Sequence, residues 1–365
     1  MAKRRPIGLK DIAAELNLSV TTVSRAMAGY SDVSEATRQR VMEAAAAHGY
    51  VPNRMGRMLV SGRSNFIGMV LPLRSGEVID AFMGEFMVGL SENLTRRQLD
   101  LFLAAVPPDH SDMDTLRHMV DGLSADAVVI NRITRDDPRV RFLIERKVPF
   151  VAHGRVLDHD LQFPWIDTSG EDAFRDLAHL LADLGHTQFA VLGPDLPYTY
   201  AHFRRLGLEQ GLADRGLALD PNASVEVDVA NREAVVAAVA RLLDLDPRPT
   251  AIVCLTDRLA FAAMEAARQR GLVIPRDLSV TGFDDVPTAA YAGPALTTFS
   301  QRIREVTASI AEMLEMAITA GNDAVPPRLI APTFIPRGSH GPAPDPLARR
   351  AASPERRHQP GRKTP

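Results

Sequence analysis

Hydrophobic residues follow two different spacings along the chain, and the change of spacing divides it into two parts. Within the first fifty residues they recur every three or four positions, as at Leu9, Ile12 and Leu16, which is typical of short amphipathic helices. From about Phe66 onward, short apolar runs alternate with longer amphipathic stretches. The first part is therefore predicted to be helical, and the second to alternate strands with helices.

Three short helices are predicted in the first part. The first spans residues 9–16. Ser19 occupies a helix N-cap position before a second helix over about 20–28, and Ser34 precedes a third helix that runs to Gly49. Three short helices with a tight link between the first two predict a helix-turn-helix.

The apolar runs of the second part are nearly continuous, which is typical of parallel strands covered on both faces. They read FIGMVLPL, LDLFLAAV, ADAVVIN, VPFVAHG, QFAVLGP, SVEVDV, AIVCLT and LSVTGFDD. So many units fit two doubly wound parallel sheets, with a (β/α)₈ barrel as the structural alternative. The predicted fold class is α/β, an all-α helix-turn-helix module followed by two doubly wound parallel-sheet subdomains.

Charge is distributed unevenly over these parts. Residues 1–63 carry ten Lys and Arg against five Asp and Glu, whereas the remainder carries 32 against 40. A basic module on an acidic body is the electrostatic pattern of a protein that binds a polyanion at one end.

These patterns divide the chain into four segments. Residues 1–50 form the predicted DNA-binding domain, 51–65 a linker with helical propensity that orders only when held, and 66–338 the body. The remaining segment, 339–365, is rich in Pro and Arg and poor in apolar residues, so it is predicted to be disordered.

Several function classes lack their sequence signals. The chain has no Walker loop, no GxGxxG after its first strand, no GxSxG or HExxH motif, and ten His residues without metal-ligand spacing. Cys254 is a single cysteine within an apolar run, as expected of a small buried hydrophobe. No signal peptide or membrane-spanning run is present. We expect a cytoplasmic, nucleoid-associated protein that is not an enzyme and uses no cofactor or metal.

The second predicted helix carries the residues suited to reading DNA. At 100° per residue, Val23 and Met27 share one face while Thr21 and Arg25 project from the other. Arg on an exposed helix makes bidentate contacts with guanine in the major groove, and an apolar residue contacts the thymine methyl group. Residues predicted to contact bases are Val20, Thr21 and Arg25, and residues predicted to contact phosphates are Thr22 and Ser24.

Longer motifs resemble the lactose repressor family of bacterial transcription regulators. They include LKDIAAELNLSVTTVSRAMAG, LADLGHTQFAVLGP, YAHFRRLGL and TDRLAFAAMEAARQRGLVIPRDLSVTGFDD, in the family's order. The resemblance implies a homodimer on double-stranded operator DNA and a periplasmic-binding-protein-like body with a small effector between its subdomains. It also implies that residues 51–65 contain a hinge helix, with DNA contacts at Asn53 and at Leu59, the latter wedged into a minor-groove step.

Candidate effector contacts come from two sources. Polar residues that end the predicted strands are expected to line the crevice at the carboxyl ends of parallel sheets, and these are Asn131, His153, Thr256, Asp257 and Asp284. The resemblance adds an Arg that binds the effector, a Gln that faces the crevice and an aromatic residue at the crevice edge, which match Arg204, Gln301 and Phe82 in that order. It also supports Asp284 as an effector contact.

The predicted function is that of a homodimeric transcription regulator, a repressor that a sugar or glycoside releases from a near-palindromic operator. The residues leave open a corepressor that strengthens DNA binding, a nucleobase effector, and a sugar-binding protein without a DNA function.

Overall fold

A computed structural model describes residues 7–27, 30–50, 63–72, 81–107, 109–122, 124–158, 160–229 and 231–345 of the chain. The predicted DNA contacts Asn53 and Leu59 lie outside the described residues, as does most of the predicted linker.

Three short helices form the first unit of the chain, and they are α1 (Leu9–Glu15), α2 (Val20–Met27) and α3 (Glu35–Ala47). Ile12, Val23 and Val41, one from each helix, are fully buried in a common apolar core. Ser34 caps α3 as predicted, because its hydroxyl oxygen accepts a hydrogen bond of 3.3 Å from the backbone nitrogen of Thr37. The predicted helix-turn-helix is therefore present.

The body contains two parallel sheets. The first has six strands, β1 (Phe66–Pro72), β2 (Asp100–Val106), β3 (Ala127–Ile130), β4 (Phe150–His153), β5 (Trp165–Thr168) and β11 (Arg328–Ile330). Their order is β11-β5-β4-β3-β1-β2. The second has four strands, β6 (Phe189–Pro194), β7 (Ser224–Val227), β8 (Ala251–Cys254) and β9 (Ser279–Thr281), in the order β7-β6-β8-β9. A separate antiparallel pair joins β10 (Thr298–Ser300) to β12 (Thr333–Ile335).

Helices cover both faces of each sheet. They are α4 (Ala81–Thr95), α5 (Asp112–Asp121), α6 (Pro138–Glu145), α7 (Gly170–Asp183), α8 (Thr199–Asp214), α9 (Arg232–Leu243), α10 (Asp257–Gln269) and α11 (Ile303–Ala320). We call the six-stranded sheet with α4, α5, α6 and α11 the first lobe, and the four-stranded sheet with α7, α8, α9 and α10 the second lobe. None of the described helices is long and apolar enough to cross a membrane.

The chain passes between the lobes three times. It leaves the first lobe between β5 and α7, returns between β10 and α11, and crosses again between β11 and β12. Helix α11 therefore packs against α4 although more than two hundred residues separate them, with Ile310 and Leu314 buried beside Phe86 and Leu90. Neither lobe is a contiguous segment, and short crossing segments are where relative motion of two lobes is absorbed.

All eight predicted apolar runs contain strands, and two open sheets replace the barrel considered as an alternative. The pattern missed β5, β10, β11 and β12. Strand β5 was missed because WIDT has only two apolar residues, although three of its four residues are buried by the strands and helices around them. The last three strands have three residues each, too short for a periodicity.

The predicted disordered tail is wrong for its first residues. Ser339 is fully buried, and its hydroxyl donates to the carbonyl oxygen of Val280 at 2.6 Å and accepts from the backbone nitrogen of Thr297 at 2.8 Å. The carbonyl oxygen of Gly341 lies 2.9 Å from Nε2 of the buried His186. Polar contacts hold this segment on the second lobe. The prediction of disorder rested on the low content of apolar residues, which carries no information about such contacts.

Helices α7 and α8 touch so closely that one contact requires glycine. A Cβ atom at Gly207 of α8 would lie 2.0 Å from the carbonyl oxygen of Glu171, and backbone atoms cannot move aside as a side chain can. Gly84 in α4 is the opposite case, because a Cβ atom there would have no neighbour within 4 Å.

Gly207→Ala is therefore expected to lower the free energy of unfolding by about 2 kcal/mol or more, since the two helices must separate. Gly84→Ala serves as the control and should raise it by up to about 1 kcal/mol, because Ala favours the helix. Urea unfolding followed by circular dichroism measures both changes. Equal effects of the two substitutions would contradict the proposed close contact.

Candidate functional site

Helix α2 presents the predicted reading face to solvent. Ser19 caps it, with its hydroxyl oxygen 2.9 Å from the backbone nitrogen of Thr22. Val23 and Ala26 are buried, whereas Thr21 and Arg25 are exposed and Val20 is 42% exposed. The predicted inner face is thus centred on Val23 and Ala26, with Met27 only partly buried at its edge.

The flanking residues are less free than the pattern suggested. Thr22 and Ser24 are half-buried, and the Thr22 hydroxyl lies 2.8 Å from the Ser19 hydroxyl. Arg25 makes an ion pair with Asp32, with Nη2 2.6 Å from Oδ2, and its guanidinium group lies over the Tyr30 ring at 5.0 Å. No pattern in the sequence predicts this pair, because its partners belong to different elements.

A cavity of about 100 Å³ lies where the two lobes face each other. The carboxyl ends of β3, β4 and β5 reach it from the first lobe, and residues after β8 and β9 reach it from the second. This is the crevice that parallel sheets form beyond their strand ends. Seven of the eight predicted effector contacts line it, and these are Phe82, Asn131, His153, Arg204, Thr256, Asp284 and Gln301.

Asp257 is the predicted contact that does not line the cavity. It is the first residue of α10 and is fully buried. Its carboxylate accepts hydrogen bonds from the Thr298 hydroxyl at 2.5 Å and from the backbone nitrogen of Val286 at 3.0 Å. Its position at a strand end serves the packing of β10 rather than the cavity.

The guanidinium group of Arg204 is a buried positive charge that lines the cavity. Its Nη1 donates to the carbonyl oxygen of Leu255 at 2.5 Å, and its flat faces contact the rings of Phe283 at 3.8 Å and Tyr200 at 4.6 Å. Burial lowers the pKa of Arg204, and the negative charge of Asp284 opposes that change. The remaining N–H groups of a fixed, planar donor suit oxygen acceptors.

Asp284 and Gln301 form a polar pair on the second lobe's side of the cavity. Nε2 of Gln301 donates to Oδ1 of Asp284 at 2.7 Å. Asp284 has a φ of 136°, a strained value for a residue with a side chain. Strain of this kind persists where the surrounding structure fixes the residue, as at binding sites.

His153 and Thr168 contribute polar atoms without partners. Nε2 of His153 and Oγ1 of Thr168 are buried, and neither has a hydrogen-bond partner among the described residues. Both residues line the cavity, and the His153 ring stacks on Phe86 at 5.1 Å and on Phe82 at 6.1 Å. Burial, together with the positive charge of Arg204, lowers the pKa of His153 from its ordinary 6.5 to about 4. His153 is therefore a neutral hydrogen-bonding group at physiological pH.

Arg155 connects the two lobes at the rim of the cavity. Its Nε lies 3.2 Å from Oδ2 of Asp167 in β5, and its Nη2 lies 2.7 Å from Oε2 of Glu171 in α7. Its guanidinium group also lies 3.7 Å from the ring centre of Phe203 in α8. Burial raises the pKa of Asp167, and the charge of Arg155 acts against that change.

Backbone contacts join the lobes beside the cavity. Thr134 pairs with Tyr198 in an isolated antiparallel bridge, and the backbone nitrogen of Thr199 donates to the carbonyl oxygen of Ile133 at 2.9 Å. On the first lobe, Nη2 of Arg139 donates to the carbonyl oxygen of Asn131 at 3.0 Å. The loop that carries Asn131 is thereby fixed to both lobes.

Sequence reasoning missed several lining residues, which are Arg132, Ile133, Gly154, Asp167, Thr168, Gly170, Thr199, Tyr200 and Phe203. Asp167 and Thr168 end a strand that the pattern does not predict, so the sequence does not mark them as strand-end residues. Within the described parts of the chain, no group of three His, Cys, Asp or Glu side chains is placed to hold a metal ion.

Two family models match the chain. The model of bacterial regulatory proteins of the lacI family matches residues 8–53, and a periplasmic binding protein-like domain matches residues 178–340. The HTH-type transcriptional regulator AglR of Rhizobium meliloti (strain 1021) is 36% identical over 93% of this chain and 96% of its own length. The chain belongs to the LacI family of bacterial regulatory proteins. It is a DNA-binding transcription regulator and not an enzyme.

Solved structures of LacI-family proteins have the same fold. The lac repressor dimer bound to operator and the anti-inducer ONPF matches with a TM-score of 0.78 and 25% identity, over 92% of this chain and 99% of that chain. The complex of the transcriptional regulator CelR with cellobiose matches with a TM-score of 0.70 and 26% identity, over 91% and 99%. The predicted fold class is confirmed.

The neutral His153 gives this LacI-family chain a defined pH dependence. Between pH 6.5 and 4 the unfolded chain binds a proton at His153 that the folded chain does not, so stability falls as the pH falls through this window. This group alone is expected to make the free energy of unfolding about 2 kcal/mol lower at pH 5 than at pH 7.5. Urea unfolding of the wild type and of His153→Gln at both pH values measures the difference. Equal losses in the two proteins would contradict the assignment.

Proposed function

We propose that this regulator binds a near-palindromic operator as a homodimer and that a sugar or glycoside, bound between its lobes, releases it. The observation that carries the proposal is the cavity itself. A buried guanidinium, a carboxylate paired with an amide, and unpartnered polar atoms converge there, on the chain that also carries a helix-turn-helix.

Helix α2 supplies the base contacts of this proposal. Val20, Thr21 and Arg25 are exposed on one side of the helix, as a helix in the major groove requires. Thr22 and Ser24 lie beside them as phosphate contacts. The contacts of Asn53 and Leu59 remain predictions from the resemblance.

The chemistry of the cavity favours a neutral ligand with several hydroxyl groups. Each sugar hydroxyl both donates and accepts, so it can accept from Arg204 while it donates to Asp284. His153 and Thr168 offer further partners, and Phe82 offers an apolar ring to one face of a sugar. The CelR complex with cellobiose supports a sugar over a nucleobase.

The space around the cavity supports a ligand larger than one sugar ring. A second cavity of about 470 Å³ shares Thr199 with the first, and a third of about 290 Å³ shares Asn131 and Arg132. Ligand pockets of proteins usually measure about 300–1,000 Å³. The inner cavity alone falls below that range, so a glycoside would need the adjoining cavities or a shift of the lobes.

Effector binding would be coupled to DNA binding through the angle between the lobes. Arg155 and the backbone contacts of Ile133 and Thr134 hold the lobes in one relative position. A ligand shifts the equilibrium between two relative positions of the lobes only if it binds one of them more tightly, and only to the extent of that difference in affinity. The proposed change alters the spacing of the two linkers in the dimer, so the DNA-binding modules no longer fit both half-sites. A corepressor would act through the same contacts with the opposite sign.

The edge strand β2 of the first lobe is a surface suited to the second copy. Phe102 and Leu103 are both exposed on this strand, and Val88 is exposed on the neighbouring helix α4. Edge strands with exposed large hydrophobic residues favour association. An operator with two-fold symmetry calls for a two-fold dimer. We place the dimer in the cytoplasm on nucleoid DNA, where an operator is accessible.

Selection on genomic DNA tests the function. Full-length protein should retain specific duplex fragments of its own genome in a salt-dependent way, and one sugar from a panel should release them. Arg204→Met keeps an unbranched, flexible side chain but removes the charged guanidinium group. This variant is expected to bind the selected fragments as the wild type does and to lose at least 90% of the sugar response, measured by fluorescence anisotropy.

The panel also contains nucleobases. Release by a nucleobase and by no sugar would exclude the sugar proposal while keeping the regulator. A normal sugar response in Arg204→Met would exclude the role of Arg204. Retention of no fragment at modest ionic strength would exclude operator binding altogether.

The dimer surface gives a separate prediction. Leu103→Glu places a charge on each copy at the proposed interface, so the protein should become a monomer in sedimentation experiments and lose at least tenfold in affinity for the selected fragment. Val273→Glu is the matched control, because Val273 is an exposed hydrophobic residue of the second lobe, away from β2. If Leu103→Glu stays dimeric, β2 is not the interface.

A further inference from the structure

The ion pair of Arg25 and Asp32 connects the reading helix α2 to the loop that follows it. Nη2 of Arg25 lies 2.6 Å from Oδ2 of Asp32, and the side chains are 46% and 52% exposed. Exposed pairs of this kind contribute little to folding stability, because solvent screens them. The pair therefore calls for an explanation other than stability.

The loop that carries Asp32 is held at several points. Val33 is buried in the apolar core of the module. The carbonyl oxygen of Tyr30 accepts a hydrogen bond of 3.0 Å from Nη2 of Arg38 in α3, and the backbone nitrogen of Tyr30 donates to the carbonyl oxygen of Arg25 at 3.1 Å. Asp32 thus lies on backbone that is fixed on both sides, whereas Arg25 has a long side chain with many rotamers.

The Tyr30 ring restricts Arg25 further. The guanidinium carbon lies 5.0 Å from the ring centre, within the range of a cation–π contact. Asp32 contacts one terminal nitrogen, and an arginine has five N–H donors. A bidentate contact to guanine uses two of them, so Arg25 can read a base while Asp32 holds it.

We propose that Asp32 is a positioning residue that orients Arg25 for guanine and thereby sharpens base preference at one operator position. The proposal rests on the reading role of Arg25 under the proposed function. A positioned arginine loses less rotamer entropy on binding, and it presents its donors at the angle that only guanine O6 and N7 match.

Charge alone predicts a different result. A carboxylate close to DNA repels phosphates, so removing it without any positioning effect should strengthen binding to every duplex alike. If Asp32 positions Arg25, removing its carboxylate should instead lower discrimination between base pairs, while the affinity for non-specific duplex stays the same or rises.

The test uses full-length protein and a pool of randomised 20-base-pair duplexes. Selection with the wild type defines its preferred sequence, and selection with Arg25→Ala identifies the base pair that Arg25 reads. The measured quantity is a ratio of dissociation constants at that position. It divides the constant for a duplex with a substituted base pair by the constant for the duplex with the preferred pair. A bidentate arginine raises this ratio by a factor of roughly 5 to 150.

Asp32→Asn is expected to lower this ratio at least threefold and to leave other positions unchanged. Glu43→Gln is the matched control, because it removes one negative charge from an exposed position of the same module and Glu43 contacts Gln39 rather than Arg25. It should leave the ratio unchanged. Asp32→Glu retains a carboxylate and should preserve more of the ratio than Asp32→Asn does.

An unchanged ratio in Asp32→Asn, with or without tighter binding of all duplexes, would overturn the proposal while keeping Arg25 as the reader. If Arg25→Ala itself leaves every base preference intact, the reading role of Arg25 fails and the positioning role fails with it. Circular dichroism of each variant confirms that the module is folded.

Discussion

The structure of the body depends on how it accommodates the positive charge buried in its cavity, the guanidinium group of Arg204. Taking a charge out of water is costly unless hydrogen bonds and opposite charges surround it. Here the carbonyl oxygen of Leu255, the rings of Phe283 and Tyr200, and the charge of Asp284 do so. These groups come from strand ends and helices of the second lobe, so the charge constrains how those elements meet.

Accommodating this charge also affects the first lobe. The positive charge of Arg204 contributes to the low pKa of His153, and it opposes the rise in the pKa of Asp167. Gly170, at the first crossing between the lobes, leaves room for the arginine, because a Cβ atom there would lie 2.8 Å from Cγ of Arg204. One side chain thus links the electrostatics of both lobes with the segment that joins them. A hydrogen-bond acceptor bound to Arg204 in the cavity would therefore affect the pKa values of His153 and Asp167 and the contact with Gly170.

Much of this architecture could be predicted from the sequence because it follows from burial. The eight apolar runs lie in strands because parallel sheets bury both faces, and polar residues at their ends reach the cavity because those ends converge. Arg204 and Gln301 follow from the resemblance alone, since neither ends a strand that the pattern predicts. The same rule misplaced Asp257, because a strand-end residue can equally face the interior of its own lobe.

What the sequence could not predict depends on contacts between distant segments. Arg155 has no distinctive local pattern, yet it contacts Asp167, Glu171 and Phe203 across the boundary of the lobes. The tail at Ser339 and the pair of Arg25 with Asp32 are of the same kind. In each case a polar group finds a partner that only the folded chain brings near. Composition and periodicity describe what a segment buries and say nothing of which polar groups will meet.

The contacts between the lobes explain how a small ligand could control a distant module. Thr134 and Ile133 follow Asn131 on the first lobe, and they bond to Tyr198 and Thr199, which begin the helix that carries Arg204. A ligand that moved the backbone at Asn131 or Arg204 would therefore act on the backbone hydrogen bonds at the boundary. Packed interfaces switch between discrete arrangements rather than deforming gradually, so under the proposed function a small shift in the cavity would change the angle between whole lobes.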